Sequence, residues 1–132
     1  MYVLDTDHCI EILRGNSKVV AKLKALGEDI EVYTTIISAA ELFYGARRSL
    51  QPEQSLQEVK ALLQDVPVLD VDLSSAERYG QLKAHLSEKG EVIADNDLFI
   101  ASIILSRGLI LVTHNIQHYA RIPNLRLEDW TR

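Results

Sequence analysis

Asp5, Glu41, Asp95 and Asp97 stand where a solvated charge is out of place. Asp5 directly ends the apolar run Tyr2-Val3-Leu4. Glu41 is embedded in Ile36-Ile37-Ser38-Ala39-Ala40-Glu41-Leu42-Phe43-Tyr44-Gly45, whose other members read as core. Asp95 and Asp97 lie between Val92-Ile93-Ala94 and Leu98-Phe99-Ile100-Ala101. A carboxylate beside a dry interior is costly unless it is hydrogen-bonded or paired with a cation. Apart from Arg47 and Arg48, no lysine or arginine adjoins these segments, so a bound cation is the economical partner. All-oxygen donors favour Mg²⁺, with Mn²⁺ as a substitute, over zinc or copper.

Plainer roles stand beside that reading. Asp7 has the residue type of a helix N-cap. Ser38-x-x-Glu41 is also a capping-box pattern, and Asp95 or Asp97 is a candidate cap for the helix that follows. Asp5, at a strand end, has the weakest such alternative. His8, His85, His114 and His118 are scattered and read as surface or hydrogen-bonding residues, with His114 singled out by its place between Thr113 and Asn115. Cys9 falls on an apolar face and reads as core. Arg14, Lys18, Arg47 and Arg48 are candidates to meet phosphates, or simply exposed helix ends favoured by the helix dipole.

The elements that must position these groups follow from periodicity and punctuation. Tyr2–Leu4 reads as a strand and Thr6–Leu13 as a helix stopped by Gly15-Asn16. Val19, Val20, Leu23 and Leu26 mark a second helix. Glu31–Thr35 is a strand, and a helix runs from Ile37 to about Ser49. Pro52 opens another helix, since its missing N–H would be unpaired there anyway. Val66–Val71 reads as a strand, and Ser74-Ser75-Ala76-Glu77 as a capping box opening a helix to Lys89. A helix within Ile93–Arg107 starts near Asp97, Leu109–Thr113 is a doubly covered strand, and Leu125–Leu127 adds a last one. Strands alternating with helices imply an α/β fold, a three-layer α/β/α sandwich around a mainly parallel sheet of about five strands. Ligands of such sheets collect beyond the carboxyl ends of the strands. Asp5 and Asp7 should therefore share an edge with Thr113, His114 and Asn115.

Composition narrows the class. The 132 residues are 47% hydrophobic and 25% charged, as expected of one globular domain, here residues 1–132. One cysteine excludes an intramolecular disulfide and a cysteine-based zinc site. The apolar start is too short for a signal peptide. The stretch Ile100–Val112 is broken by Ser102, Ser106, Arg107 and Gly108 and cannot span a bilayer. The chain is read as cytoplasmic. Its net charge of −5 gives no global attraction for nucleic acid, so a polyanion must be met through a local basic patch or a bound cation.

Taken in order, Val3-Leu4-Asp5-Thr6-Asp7, Ile37-Ser38-Ala39-Ala40-Glu41-Leu42-x-x-Gly45, Asp97-x-x-Ile100-Ala101 and Leu111-Val112-Thr113-x-Asn115 resemble the motifs of PIN domains. Pro123-Asn124-Leu125-Arg126-Leu127-Glu128-Asp129-Trp130 is similar to the tail of VapC-type toxins of bacterial toxin–antitoxin pairs. The resemblance implies the PIN sandwich and a Mg²⁺-dependent endoribonuclease acting on structured RNA. It also implies a cognate antitoxin that inserts a basic side chain into the acidic site, and a homodimer formed through helices. By resemblance, Asp5, Glu41 and Asp97 match the metal-holding acids, and Asp7 matches a helper position. Asn115 falls where many members carry a further Asp; its neutral side chain argues against tight binding of a second ion, for which Asp95 would compensate.

Two rival readings stand beside this one. A strand followed by Asp5-Thr6-Asp7 also resembles haloacid-dehalogenase-type phosphatases, but these need a lysine near a later strand end, and none follows Lys89. A non-catalytic binding module with an acidic pocket for a partner's arginine is the other.

Overall fold

The computed structural model describes residues 1–132. The strands are β1 (Tyr2–Leu4), β2 (Val32–Thr35), β3 (Val68–Leu69), β4 (Ile110–Val112) and β5 (Arg126–Glu128). The helices are α1 (Thr6–Leu13), α2 (Ser17–Ala25), α3 (Ile36–Arg47), α4 (Pro52–Asp65), α5 (Leu73–Glu88), α6 (Asp95–Arg107) and α7 (Ile116–Tyr119). All five strands are parallel, in the order β3-β2-β1-β4-β5. The first strand is thus central, pairing Tyr2 with Val32 on one side and with Ile110 on the other.

Side chains alternate across a strand, and the sheet sorts them accordingly. Val3 and Leu111 face a core with Leu82 and Leu86 of α5 and Leu98, Ile100, Ala101 and Ile104 of α6. Leu4 and Val112 face the opposite core, with Cys9, Val19, Leu42, Val59, Leu62 and Trp130. This is the expected three-layer sandwich. Burial pushes the Cys9 thiol up to about 12, against the bond it makes to Thr34, so it is an inert core residue.

Several local expectations are corrected. β3 is only Val68–Leu69, because Val66 closes α4 and Pro67 has no N–H to offer a ladder. α5 is capped by Asp72, whose carboxylate accepts the Ser75 N–H at 2.8 Å, not by Ser74. α3 starts at Ile36 with Thr35 as its cap, accepting the Ser38 N–H at 3.1 Å, so Ser38-x-x-Glu41 is not a capping box. α6 begins at Asp95 behind Ala94, and neither Asp95 nor Asp97 caps it. It ends on Gly108, whose φ of 66° supplies the left-handed turn into β4. No helix is long and apolar enough to cross a membrane.

Candidate active site

The chain order reverses between β1 and β4: β2 and β3 lie to one side of β1, β4 and β5 to the other. Two diverging connections leave a crevice at such a point, beyond the strands' carboxyl ends. Asp5 occupies it. Its N–H continues the ladder to the Val112 carbonyl at 2.9 Å, and it is also the N-cap of α1. One carboxylate oxygen, Oδ1, accepts the Thr6 N–H at 2.9 Å; the other, Oδ2, accepts the Thr113 hydroxyl at 2.8 Å. Asp5 is 7% exposed. Burial and the neighbouring charge of Asp7, with a smaller contribution from Asp97, outweigh those two bonds and push its pKa up to about 6.

Asp7 is two residues away and behaves oppositely. It does not cap α1, since Asp5 does. Its Oδ1 lies 2.8 Å from His8 Nδ1, and its Oδ2 accepts the His114 N–H at 2.9 Å. Burial works to raise its pKa, but the bonds from His8 and His114 overcome it and hold the carboxyl below the usual range. Asp7 therefore ties α1 to the turn after β4. His8 is completely buried, and its Nε2 accepts the Trp130 N–H at 3.0 Å. That bond leaves the ring proton on Nδ1, facing Asp7.

Glu41 lies on the second turn of α3. Its Oε1 accepts the Thr6 hydroxyl at 2.7 Å, and the same hydroxyl lies 2.9 Å from Ser38 Oγ. The residue between the two acids of the first motif thus links Asp5, through its N–H, to Glu41, through its hydroxyl. A groove of about 370 Å³ runs past Glu41, bordered by Arg14, Ser49, Ser55 and Glu58.

Asp97 arrives from the first turn of α6. Its Oδ1 accepts the Tyr119 hydroxyl at 3.1 Å. Its Oδ2 lies 3.0 Å from His118 Nε2, without the alignment of a hydrogen bond, so that buried nitrogen is left unsatisfied. Sequence reasoning missed α7, and with it Tyr119 and His118 as site residues. Four residues are too few to show a period; the available signal was their helical spacing from Asn115.

Asp95 is not brought to this group. Its Oδ1 accepts bonds from Tyr79 at 2.7 Å and Lys83 at 3.1 Å, which together hold its pKa below the ordinary value. The lysine missing from its sequence neighbourhood comes from α5. Asn115 lies at the edge of the site with an exposed side chain; its N–H donates to the Thr113 hydroxyl at 3.0 Å. No lysine or arginine forms an ion pair with Asp5, Asp7, Glu41 or Asp97.

No three acidic, histidine or cysteine side chains close into a cage around one ion. Mg²⁺ does not need one, being commonly held by one or two carboxylates while keeping several waters. A buried carboxylate crowded by two others, with histidines beside Asp7 and Asp97 but no lysine or arginine paired to any of the three, fits a hard, hydrated divalent ion. An apolar cleft of about 550 Å³ at the amino ends of β2 and β3, lined by Leu23, Leu26, Leu62 and Val66, holds no comparable chemistry.

Residues 2–124 match the PIN domain. The chain is 36% identical over 129 residues to the tRNA(fMet)-specific endonuclease VapC of Salmonella typhimurium, covering 98% of this chain and 97% of that protein. A chain of the Rickettsia felis VapBC2 complex, bound to a DNA fragment from their promoter, superposes with a TM-score of 0.92 at 33% identity, covering 98% of both chains. A chain of VapBC-5 from Mycobacterium tuberculosis, of the VapBC family of toxin-antitoxin systems, does so at 0.70 and 28% identity, covering 96% of this chain and 94% of that one.

Proposed function

The chain belongs to the PIN-domain family, among the VapC ribonuclease toxins of VapBC toxin–antitoxin systems, and we propose that it is a Mg²⁺-dependent endoribonuclease that hydrolyses structured RNA in the cytoplasm. We read residues 1–132 as one such domain. The observation that carries the metal-dependent reading is Asp5: a buried carboxylate facing Asp7 and Asp97, with its pKa pushed up to about 6 and no basic side chain paired to it. A site built for stability alone would have neutralised it, because an uncompensated buried charge is strongly destabilising.

In this proposal Asp5, Glu41 and Asp97 hold Mg²⁺, or Mn²⁺ in its place; Asp7 and Asn115 border the site, and Asp95 stays with Lys83. When bound, the ion offsets the phosphodiester's negative charge and lowers the pKa of water. The chain's own residues orient the acids and admit the substrate. The Thr6 N–H and the Thr113 hydroxyl fix the two oxygens of Asp5. The Thr6 hydroxyl fixes Glu41. None of the acids acts as a covalent nucleophile. Arg14, 73% exposed in its side chain and bordering the same groove as Glu41, supplies a positive charge for a neighbouring phosphate. Recognition of a folded RNA rests on its shape and exposed loops. The partner is a cognate antitoxin whose basic side chain enters the acidic crevice, and the toxin is a homodimer.

Mapping RNA 5′ ends across the transcriptome after brief induction tests this. Wild type should create new ends that folded Asp5→Asn and Asp97→Asn proteins do not, and purified wild type should lose cleavage in EDTA and regain it with Mg²⁺. Identical profiles from all three folded proteins would move the chain to the non-catalytic reading, an acidic pocket for a partner's arginine.

A further inference from the structure

Tyr119 ends α7, and its ring is completely buried in the core beneath α5 and α6. An apolar residue would satisfy that packing. The hydroxyl is the additional feature: it emerges from the core at the acidic crevice and donates to Asp97 Oδ1 at 3.1 Å, with the charge of Asp5 facing it as well. His118, the preceding residue, sets Nε2 3.0 Å from the other oxygen of Asp97, and its ring packs edge-on against Tyr119 at 5.5 Å. The two last residues of α7 thus address the two oxygens of one carboxylate. Asp5 and Glu41 are oriented by threonines at the strand ends. Asp97, on the first turn of α6, has only α7 to orient it.

We propose that Tyr119 is a positioning residue for the divalent cation, its hydroxyl fixing the rotation of the Asp97 carboxylate so that an oxygen is presented toward Asp5. The role rests on the metal-dependent reading of the site. It requires that the phenol act through Asp97 and nothing else. A neutral donor is well matched to this role. It holds Asp97 in place without cancelling the charge that attracts the ion, as a lysine would.

Tyr119→Phe keeps the buried ring and removes only the oxygen. Mn²⁺ binding followed by titration calorimetry should show wild type binding, and Tyr119→Phe binding about tenfold more weakly, with a melting temperature in EDTA close to wild type. In an Asp97→Asn background the same change should have no further effect on Mn²⁺ binding. In EDTA, proton NMR should show a slowly exchanging tyrosine hydroxyl that is absent from Tyr119→Phe and lost to rapid exchange in Asp97→Ala. Equal affinity in wild type and Tyr119→Phe, a loss that persists undiminished beside Asp97→Asn, or no protected hydroxyl overturns the positioning role alone. Wild-type protein that takes up no Mn²⁺ overturns the metal-dependent reading, and the positioning role with it.

Discussion

Asp95 and Asp97 are two residues apart on the same turn of α6, yet they belong to regions with opposite charge balance. On the α5–α6 face two acids are each met by a base: Asp95 by Lys83 at 3.1 Å, Asp72 by Arg107 at 3.1 Å. Both carboxyls are held below their ordinary pKa, Asp95 by Tyr79 and then Lys83, Asp72 chiefly by the N–H and hydroxyl of Ser75. At the carboxyl edge of the sheet no lysine or arginine pairs with Asp5, Asp7, Glu41 or Asp97; only His8 and His118 stand beside Asp7 and Asp97, and Asp5 is pushed up to about 6. Away from the crevice the chain supplies Asp95 and Asp72 with their own cationic partners; in the crevice it pairs no lysine or arginine with Asp5 or Asp97, which is the difference the proposed metal site rests on.

The largest test of that contrast is a matched pair. Asp97→Asn should lower RNA cleavage by on the order of 10³-fold, since removing a metal-positioning carboxylate forfeits several kcal/mol of transition-state stabilisation. Asp95→Asn should leave cleavage within about twofold. Single-turnover rates on one RNA read both, and comparable losses would erase the distinction between the regions. Next is the pH dependence of ion-free stability. Asp5 has a folded pKa near 6 against an ordinary 3.8, so the folded state keeps a proton that the unfolded chain gives up between those values. Its contribution therefore favours folding below about pH 4, declines across the window, and its penalty is complete above about pH 6, amounting to about 3 kcal/mol. Denaturant unfolding in EDTA from pH 4 to 7 should show that decline in wild type and a flatter curve in Asp5→Asn. Smallest is Lys83→Met, which should raise the Asp95 pKa in a carbon-13 NMR titration and leave cleavage unchanged. A cleavage defect there would mean that the exposed pair reaches into the site.

The fold was largely legible because its signals are long or punctuated. The apolar runs of β1 and β4, the proline opening α4 and the glycine after α6 each have a local physical cause. Asp5, Glu41 and Asp97 stood out because each interrupts an apolar context. The illegible parts depend on distant residues. Nothing local to Asp95 says that Lys83, one helix earlier, will neutralise it. Nothing local to His8 says that it bridges Asp7 and the Trp130 N–H. Cap assignment failed for a related reason: Asp5 and Thr35 end strands and begin helices at once, so the caps lie two and three residues before the Asp7 and Ser38 that the pattern offered.

The bond from Thr113 to Asp5 joins residues 108 positions apart. Closing a loop of that length is entropically costly, so contacts of this kind are expensive to make early in folding. β1, β2 and β3 can pair once the chain through Leu69 is present. Asp97, Thr113 and Tyr119 all come from the second half. A chain folded only that far has Asp5 at the end of a strand but no crowded crevice around it. The sheet's central strand can thus be laid down before its charge meets the opposing acid of α6, and the electrostatic burden of the site falls on the completion of folding rather than its beginning.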